Sequence, residues 1–299
     1  MTPGRELSDT VLVTGATGFV GSALATRAMA EGYVVKTLSR TNWASSPAVP
    51  VGNRFFGSLP ASIPEECLEG VDAVVHCAAE AAGDYDTCHA VNVEGTTRLA
   101  RMALRAGVKT FIFLSSQSAR PDAPSPYGQT KYAAERSLLE VTGLNVIVLR
   151  LGLVTGPGSR GLYQRMERMV QSLPVIPLLA GGQAIIQPIH VDDLCTAALR
   201  CCAQGPALAN AVLRLGDVEG ISLREFLQLI AVTRYGHRKL MIPVPLWPVE
   251  LVVKLAEKLH VALPINSNNL QGLQTVARME TREDLSRLGL TLRPLSEAI

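Results

Sequence analysis

The stretch VLVTGATGFVG, residues 11–21, decides the fold of this chain. Its apolar start is typical of a buried strand, and residues 19–32 are typical of a helix. The glycines between them follow a GxxGxxG spacing, which lets the backbone turn tightly and approach a pyrophosphate without an intervening Cβ. The helix that follows offers free N–H groups and its positive dipole end. We therefore predict a dinucleotide-binding turn, formed by Gly15, Thr17, Gly18, Phe19, Val20 and Gly21.

The first half of the chain continues this alternation of strands and helices. Further apolar strands are predicted over 33–39, 72–79, 108–116 and 144–152, with helices over 87–106 and 126–142. Apolar strands separated by helices indicate a parallel sheet that is covered on both faces. The predicted fold class is α/β, a Rossmann-type doubly wound parallel sheet.

The pattern becomes irregular after residue 156. Residues 211–217 fit a late strand of the same sheet, and the chain from 218 onward reads as mostly helical, with a proline-rich interruption at 243–248. We predict a dinucleotide-binding domain and a smaller, mostly helical C-terminal substrate-binding domain. The dinucleotide-binding domain comprises residues 1–156 and 187–217. The substrate-binding domain comprises residues 157–186 and 218–299.

Composition and charge disfavour several classes of protein. The net charge of the 299 residues is only +2 and no dense block of Lys and Arg appears, which argues against nucleic-acid binding. The first ten residues lack the apolar core of a signal peptide. No apolar run reaches the roughly 20 residues of a transmembrane helix. The nearest, residues 240–259, carries prolines and charges and is predicted to be a packed or surface helix. We expect a cytoplasmic protein without a transmembrane segment.

The six cysteines form no CxxC pair and no Cys/His cluster at metal-binding spacing. We expect reduced, buried thiols and no bound metal.

The end of the second predicted strand bears on the cofactor. An acidic residue there would bind the adenosine ribose and repel a 2′-phosphate. This chain has Ser39 and Arg40 instead, which can donate to a phosphate. We therefore predict NADP in preference to NAD. The alternative is that Arg40 is a solvated surface residue.

The stretch SPYGQTK, residues 125–131, places Tyr127 and Lys131 four positions apart, on one face of a predicted helix. Hydride transfer to a carbonyl needs a proton donor, and its reversal needs a base. A phenol with its ordinary pKa near 10 is a poor base at neutral pH, but a nearby lysine cation lowers that pKa. Ser116, at the end of a predicted strand, can hydrogen-bond the reacting oxygen, with Ser115 and Ser118 as alternatives.

Together these motifs resemble the extended short-chain dehydrogenase/reductase family, which includes the sugar-nucleotide epimerases and dehydratases. The similar stretches are TGATGFVG, DAVVHCAA, VNVEGT, FLSS with YGQTK, LRLGLVTGPG and IHVDD, and they cover about residues 10–230. The resemblance implies Ser116, Tyr127 and Lys131 as catalytic residues. The cofactor contacts that it adds are Ala78, Ala79, Asn92, Lys131 and Leu153. Leu153 stands where the epimerases carry an asparagine that holds nucleotide phosphates.

Two further residues are candidates for substrate contacts. His190 lies in IHVDD, where Asp192 and Asp193 are predicted to cap a helix that begins near Leu194. Arg160 follows the glycine-rich turn at 156–158 and is either a phosphate contact or a solvated arginine.

The predicted function is an NAD(P)-dependent oxidoreductase or epimerase that acts on a nucleotide sugar or a similarly polar small molecule, as a possible homodimer. One alternative is a reductase of a less polar ketone or aldehyde, with an apolar pocket formed by Leu153, Leu178 and Leu179. Another is a non-catalytic nucleotide-binding subunit of a larger assembly. The retained Tyr/Lys pair favours an enzyme.

Overall fold

The computed structural model describes residues 9–41, 49–245 and 278–299. Its strands are β1 (Thr10–Thr14), β2 (Val34–Ser39), β3 (Arg54–Phe56), β4 (Ala73–His76), β5 (Thr110–Ser116), β6 (Asn145–Leu151), β7 (Leu153–Thr155), β8 (Val175–Leu179), β9 (Ile185–Ile186), β10 (Pro188–His190), β11 (Val212–Leu215), β12 (Ile221–Ser222) and β13 (Leu240–Val244). Its helices are α1 (Phe19–Ala30), α2 (Tyr85–His89), α3 (Thr96–Arg105), α4 (Pro126–Leu139), α5 (Leu162–Ser172), α6 (Val191–Gln204), α7 (Leu223–Tyr235) and α8 (Arg282–Arg287).

Seven strands form one parallel sheet in the order β11-β6-β5-β4-β1-β2-β3. The predicted doubly wound parallel sheet is therefore confirmed. Residues 211–217 do contain its last strand, since β11 pairs with β6. The direction of strand addition reverses between β1 and β4, and ligands of such sheets bind in the crevice at that point.

Alternate residues of the strands face two separate cores. Val11 and Val13 of β1 belong to a cluster with helices α1 and α6, whereas Leu12 belongs to a cluster with α3 and α4. A third cluster lies outside the sheet, between α5, α7, β8 and β13, and includes Tyr163 and Phe226. The C-terminal residues pack against both proposed domains, since α8 lies on the first cluster and Ile299 lies in the third. The division into two domains stays a prediction.

Two segments differ from their predicted form. The helix expected over 87–106 is interrupted by a π-helical turn, Ala90–Gly95, between α2 and α3. A helix is predicted over residues 240–259. Its first residues instead form the strand β13, which pairs in parallel with β8 along its whole length. The prediction of helix is therefore wrong for residues 240–244. Residues 246–259 lie outside the described ranges.

All six cysteines are free thiols. Among the described residues, no group of three or more His, Cys, Asp or Glu side chains is arranged to hold a metal ion. Within the same ranges, the helices are too short or too polar to cross a bilayer.

Candidate active site

The glycine turn between β1 and α1 lies against the end of β4. Gly15 has a φ of +65°, and a Cβ at this position would lie 2.8 Å from the backbone nitrogen of Ala78. A Cβ on Gly21 would overlap the carbonyl oxygen of Gly15. The glycines are therefore required for close packing of β1, α1 and β4.

The start of α1 fits a phosphate. Gly18 occupies the N-cap position without a side-chain cap, and the first turn carries no acidic residue. The first N–H groups of a helix have no partner within it, and the helix dipole is positive there. Thr17, Phe19 and Val20 flank this turn. The local chemistry suits a dinucleotide pyrophosphate.

The crevice carries, at the ends of β2 and β4, an acidic residue that the sequence analysis missed. Arg40 follows β2, and its Nη1 lies 3.5 Å from Oε2 of Glu80, which follows β4. The Arg40 side chain is 68% exposed and that of Glu80 is 22% exposed. Ser39 donates its hydroxyl to the carbonyl oxygen of Thr41 at 3.0 Å. Both residues predicted to bind a 2′-phosphate are thus engaged within the protein. The only sequence signal for Glu80 is a carboxylate four positions after the end of β4.

Asn92, in the π-helical turn, fixes the loop after β4. Its Oδ1 accepts from the Glu80 N–H at 2.8 Å, and its Nδ2 donates to the Glu80 carbonyl oxygen at 2.9 Å. The same Nδ2 donates to Thr130 of α4 at 3.0 Å. Asn92 therefore ties the loop that contains Ala78 and Ala79 to the helix that contains Tyr127. Its direct contact with a cofactor stays a prediction.

His76 forms a buried polar link under the crevice. Its Nδ1 lies 2.7 Å from Oγ1 of Thr14 and its Nε2 lies 2.9 Å from Oγ1 of Thr96. Burial, helped by the charge of Lys131, lowers the pKa of His76 to about 3. A neutral imidazole thus joins the ends of β1 and β4 to α3, and Thr14 also accepts from the N–H of Ala78 at 3.2 Å.

Tyr127 and Ser116 are brought together where β5 ends and α4 begins. Ser125 caps α4 by accepting from the N–H of Gly128, and a Cβ at Gly128 would lie 2.6 Å from the carbonyl oxygen of Ser118. This close approach seats the first turn of α4 on the loop after Ser116. Burial raises the pKa of Tyr127 to about 12, and the hydrogen bond with Ser116 acts against the rise. The phenol is therefore protonated at neutral pH and can donate a proton.

Lys131 is only 2% exposed. Its Nζ donates to the carbonyl oxygen of Leu114 at 2.5 Å and lies 4.0 Å from the centre of the Phe113 ring. Burial lowers the pKa of Lys131 to about 7, and the charge of Glu135 opposes this shift. The predicted lowering of the Tyr127 pKa by Lys131 is not seen here, because the ammonium is directed to the backbone of β5 and the Phe113 ring.

Glu135 continues the same helix face one turn beyond Lys131. It is buried and accepts three hydrogen bonds of 2.6–3.1 Å from Arg150 and one of 2.5 Å from Ser115. The Ser115 hydroxyl is therefore engaged away from Tyr127. Of the three candidate serines, Ser116 is the one that acts against the rise in the pKa of Tyr127, while Ser118 lies 2.9 Å from the Ser116 hydroxyl.

The remaining candidates lie beyond β6. Leu153 is in β7 and packs against the third hydrophobic cluster. Leu178 is buried inside that cluster, so it does not line an open apolar pocket. Arg160 is exposed in the turn before α5. The roles of Leu153 and Arg160 stay predictions.

The predicted cap of α6 is wrong. The helix begins at Val191, and the ring of His190 caps it, with Nδ1 accepting from the N–H of Asp192 at 3.2 Å. Asp193 is held instead by Arg293, whose guanidinium donates to both carboxylate oxygens at 3.1–3.2 Å. A partner 100 positions away along the chain has no local sequence signal. His190 is thus engaged in capping, and a substrate contact by it stays a prediction.

Comparisons with known proteins agree with this fold. The model of the NAD dependent epimerase/dehydratase family matches residues 11–212. The UDP-glucose 4-epimerase of Vibrio cholerae is 28% identical over 95% of this chain and 92% of its own length. The 2-alkyl-3-oxoalkanoate reductase of Stenotrophomonas maltophilia is 29% identical over 74% of each chain. The solved structure of MoeE5 in complex with UDP-glucuronic acid and NAD is similar with a TM-score of 0.73, at 25% identity over 97% of this chain and 96% of that one.

Proposed function

The chain belongs to the NAD dependent epimerase/dehydratase family, and from this premise we propose that it transfers hydride with NAD on a nucleotide sugar or a similarly polar substrate. Ser116, Tyr127 and Lys131 are its proposed catalytic residues. The observation that carries this proposal is the placement of Tyr127 and the buried Lys131 on one face of α4, beside Ser116 at the end of β5.

The residues divide the proton chemistry as follows. NAD, when bound, accepts or returns the hydride. Tyr127 donates its phenolic proton to the oxygen of a carbonyl that is being reduced, and takes a proton back when an alcohol is oxidised. Ser116, at the end of β5, donates a hydrogen bond to that oxygen and orients it. Lys131 favours the phenolate whenever its ammonium turns from Leu114 toward the crevice.

NAD is proposed here in place of the NADP that the sequence predicts. The matching family model is described as NAD dependent, and the similar MoeE5 structure contains NAD. Arg40, the residue that favours NADP, is already paired with Glu80. A 2′-phosphate would have to compete with that carboxylate and would lie beside a second negative charge.

A polar substrate is supported by the relatives that span nearly the whole chain. One is named as a UDP-glucose epimerase, and the MoeE5 complex contains UDP-glucuronic acid. A second candidate function is reduction of a less polar ketone. It is favoured by Leu153, which packs in an apolar cluster where the epimerases carry a phosphate-binding asparagine, and by the similarity to the 2-alkyl-3-oxoalkanoate reductase.

Product analysis separates these two functions. Incubation with UDP-glucose or UDP-glucuronic acid and catalytic NAD should yield a sugar isomer without net formation of NADH. A ketone reductase would instead consume NADH in proportion to an aliphatic β-keto acid and would leave both nucleotide sugars unchanged.

The site itself is tested by Tyr127→Phe, with Tyr132→Phe in the same helix as the control. Loss of the proton donor should lower turnover by about two to four orders of magnitude and leave the dissociation constant for NAD, measured by calorimetry, nearly unchanged. The control should turn over normally. Equal turnover by Tyr127→Phe and the unaltered protein would remove Tyr127 from the mechanism.

A further inference from the structure

We propose that Glu80 is the residue that selects the cofactor, by holding Arg40 and placing a carboxylate at the adenosine ribose. Dinucleotide-binding domains of this kind usually place such an acid at the end of the second strand. Here that position is occupied by Ser39 and Arg40. This inference rests on the proposed function only in requiring that a nicotinamide dinucleotide binds in the crevice.

The position of the pair follows from the strand order. Because β2 and β4 are the two neighbours of β1, the residues after them flank the glycine turn on opposite sides. Gly15 lies between the two sides, since its N–H donates to the Leu38 carbonyl oxygen at 3.0 Å and a Cβ on it would lie 2.8 Å from the Ala78 nitrogen. The contact between Arg40 and Glu80 thus joins the segments that follow β2 and β4, on either side of this turn.

Glu80 is held more firmly than an ordinary surface carboxylate. Asn92, which is 1% exposed, binds both the N–H and the carbonyl oxygen of Glu80. Oε1 of Glu80 accepts from the N–H of Ala82 at 3.2 Å, which leaves Oε2 for Arg40. The carboxylate is therefore fixed in place, whereas the mostly exposed Arg40 adapts to it.

The chemistry of this arrangement discriminates between the two dinucleotides. A ribose 2′-hydroxyl can donate to the Glu80 carboxylate. A 2′-phosphate can only accept, carries negative charge, and must draw Arg40 away from its partner. Ser39 offers little compensation, because its hydroxyl is donated to Thr41.

Calorimetric titration of the full chain with NAD and with NADP tests this assignment. The unaltered protein should bind NAD more tightly. Glu80→Gln keeps the size of the side chain and an acceptor oxygen but removes the charge, so it should raise the affinity for NADP relative to NAD by about tenfold. Glu80→Gln combined with Arg40→Gln should lose most of that gain, because Arg40 is the group released to bind the phosphate.

Glu94→Gln is the matched control, because Glu94 is an exposed carboxylate on the same π-helical turn as Asn92. This substitution should leave the ratio of NADP affinity to NAD affinity unchanged. A ratio in Glu80→Gln within twofold of that in the unaltered protein would overturn the assignment, as would a gain that survives in the double variant. Each of these results leaves the proposed function intact. Failure of the unaltered protein to bind either dinucleotide would overturn both.

Discussion

Replacement of Glu135 by Gln should destabilise the fold of this protein strongly. The Glu135 side chain is 3% exposed and that of its partner Arg150 is 25% exposed. The substitution keeps the shape and one acceptor oxygen, so part of the contact with Ser115 survives. It removes the carboxylate charge of Glu135, whose oxygens accept three hydrogen bonds from the Arg150 guanidinium. The guanidinium is then left partly buried without its counter-ion.

Breaking a buried ion pair on one side typically costs about 3–5 kcal/mol. The partial exposure of Arg150 lets water solvate the guanidinium, which places the expected loss at the lower end, near 3 kcal/mol. This is a large share of the roughly 5–15 kcal/mol that stabilises a typical domain. The effect should extend to the site, because loss of the Glu135 charge moves the pKa of Lys131 further below its ordinary value.

Urea unfolding followed by circular dichroism measures this difference, provided that the slope against denaturant is unchanged. Glu219→Gln is the matched control. Glu219 also makes two ion pairs, with Arg278 and Arg282, but its side chain is 71% exposed, so its loss should cost less than about 1 kcal/mol. A Glu135→Gln protein within 1 kcal/mol of the unaltered one would refute the reasoning that this pair is buried and structurally important.

Two further predictions concern Lys131 and Gly15. Burial lowers the pKa of Lys131 to about 7 in the folded protein, whereas its ordinary value is 10.5. Between pH 7 and pH 10.5 the unfolded chain therefore binds more protons than the folded protein, and the free energy of unfolding should rise with pH in that window. Lys131→Met should remove this slope, which for one proton is at most about 1.4 kcal/mol per pH unit. The free energy of unfolding of both proteins is measured by urea melts at several pH values, and the same dependence on pH in both would contradict the prediction. Gly15→Ala should cost about 2–3 kcal/mol more than Gly70→Ala, because both glycines have a positive φ but only a Cβ at Gly15 meets backbone, that of Ala78. Equal losses in the two variants, measured by the same unfolding assay, would show that the turn can open at little cost.

Much of the fold and part of the site could be predicted from local patterns. The apolar runs that became β1, β2, β4, β5 and β6, and the glycines between β1 and α1, carry their own signal, since strand burial and a tight turn depend on neighbouring residues. The spacing of Tyr127 and Lys131 likewise places both on one face of α4 without reference to the rest of the chain.

The partners of those residues could not be predicted in the same way. Arg40 by itself favours a 2′-phosphate, and only the sheet order brings Glu80 from the end of β4 to meet it. Lys131 by itself suggests a cation beside Tyr127, and only the packing of α4 on β5 directs its ammonium to Leu114 and Phe113.

The sequence alone thus determined the class of fold, the glycine turn between β1 and α1, and the placement of the Tyr127/Lys131 pair on one helix face, because each depends on residues within one or two turns of chain. Tertiary structure alone decided the charge environment of that pair, the cap of α6 by His190 and the pairing of β13 with β8. These features join residues that are far apart in the chain, such as Asn92 with Thr130 and Asp193 with Arg293. Whether such groups meet is settled by how strands and helices pack, and burial in that packing then sets their pKa values and hydrogen-bond partners.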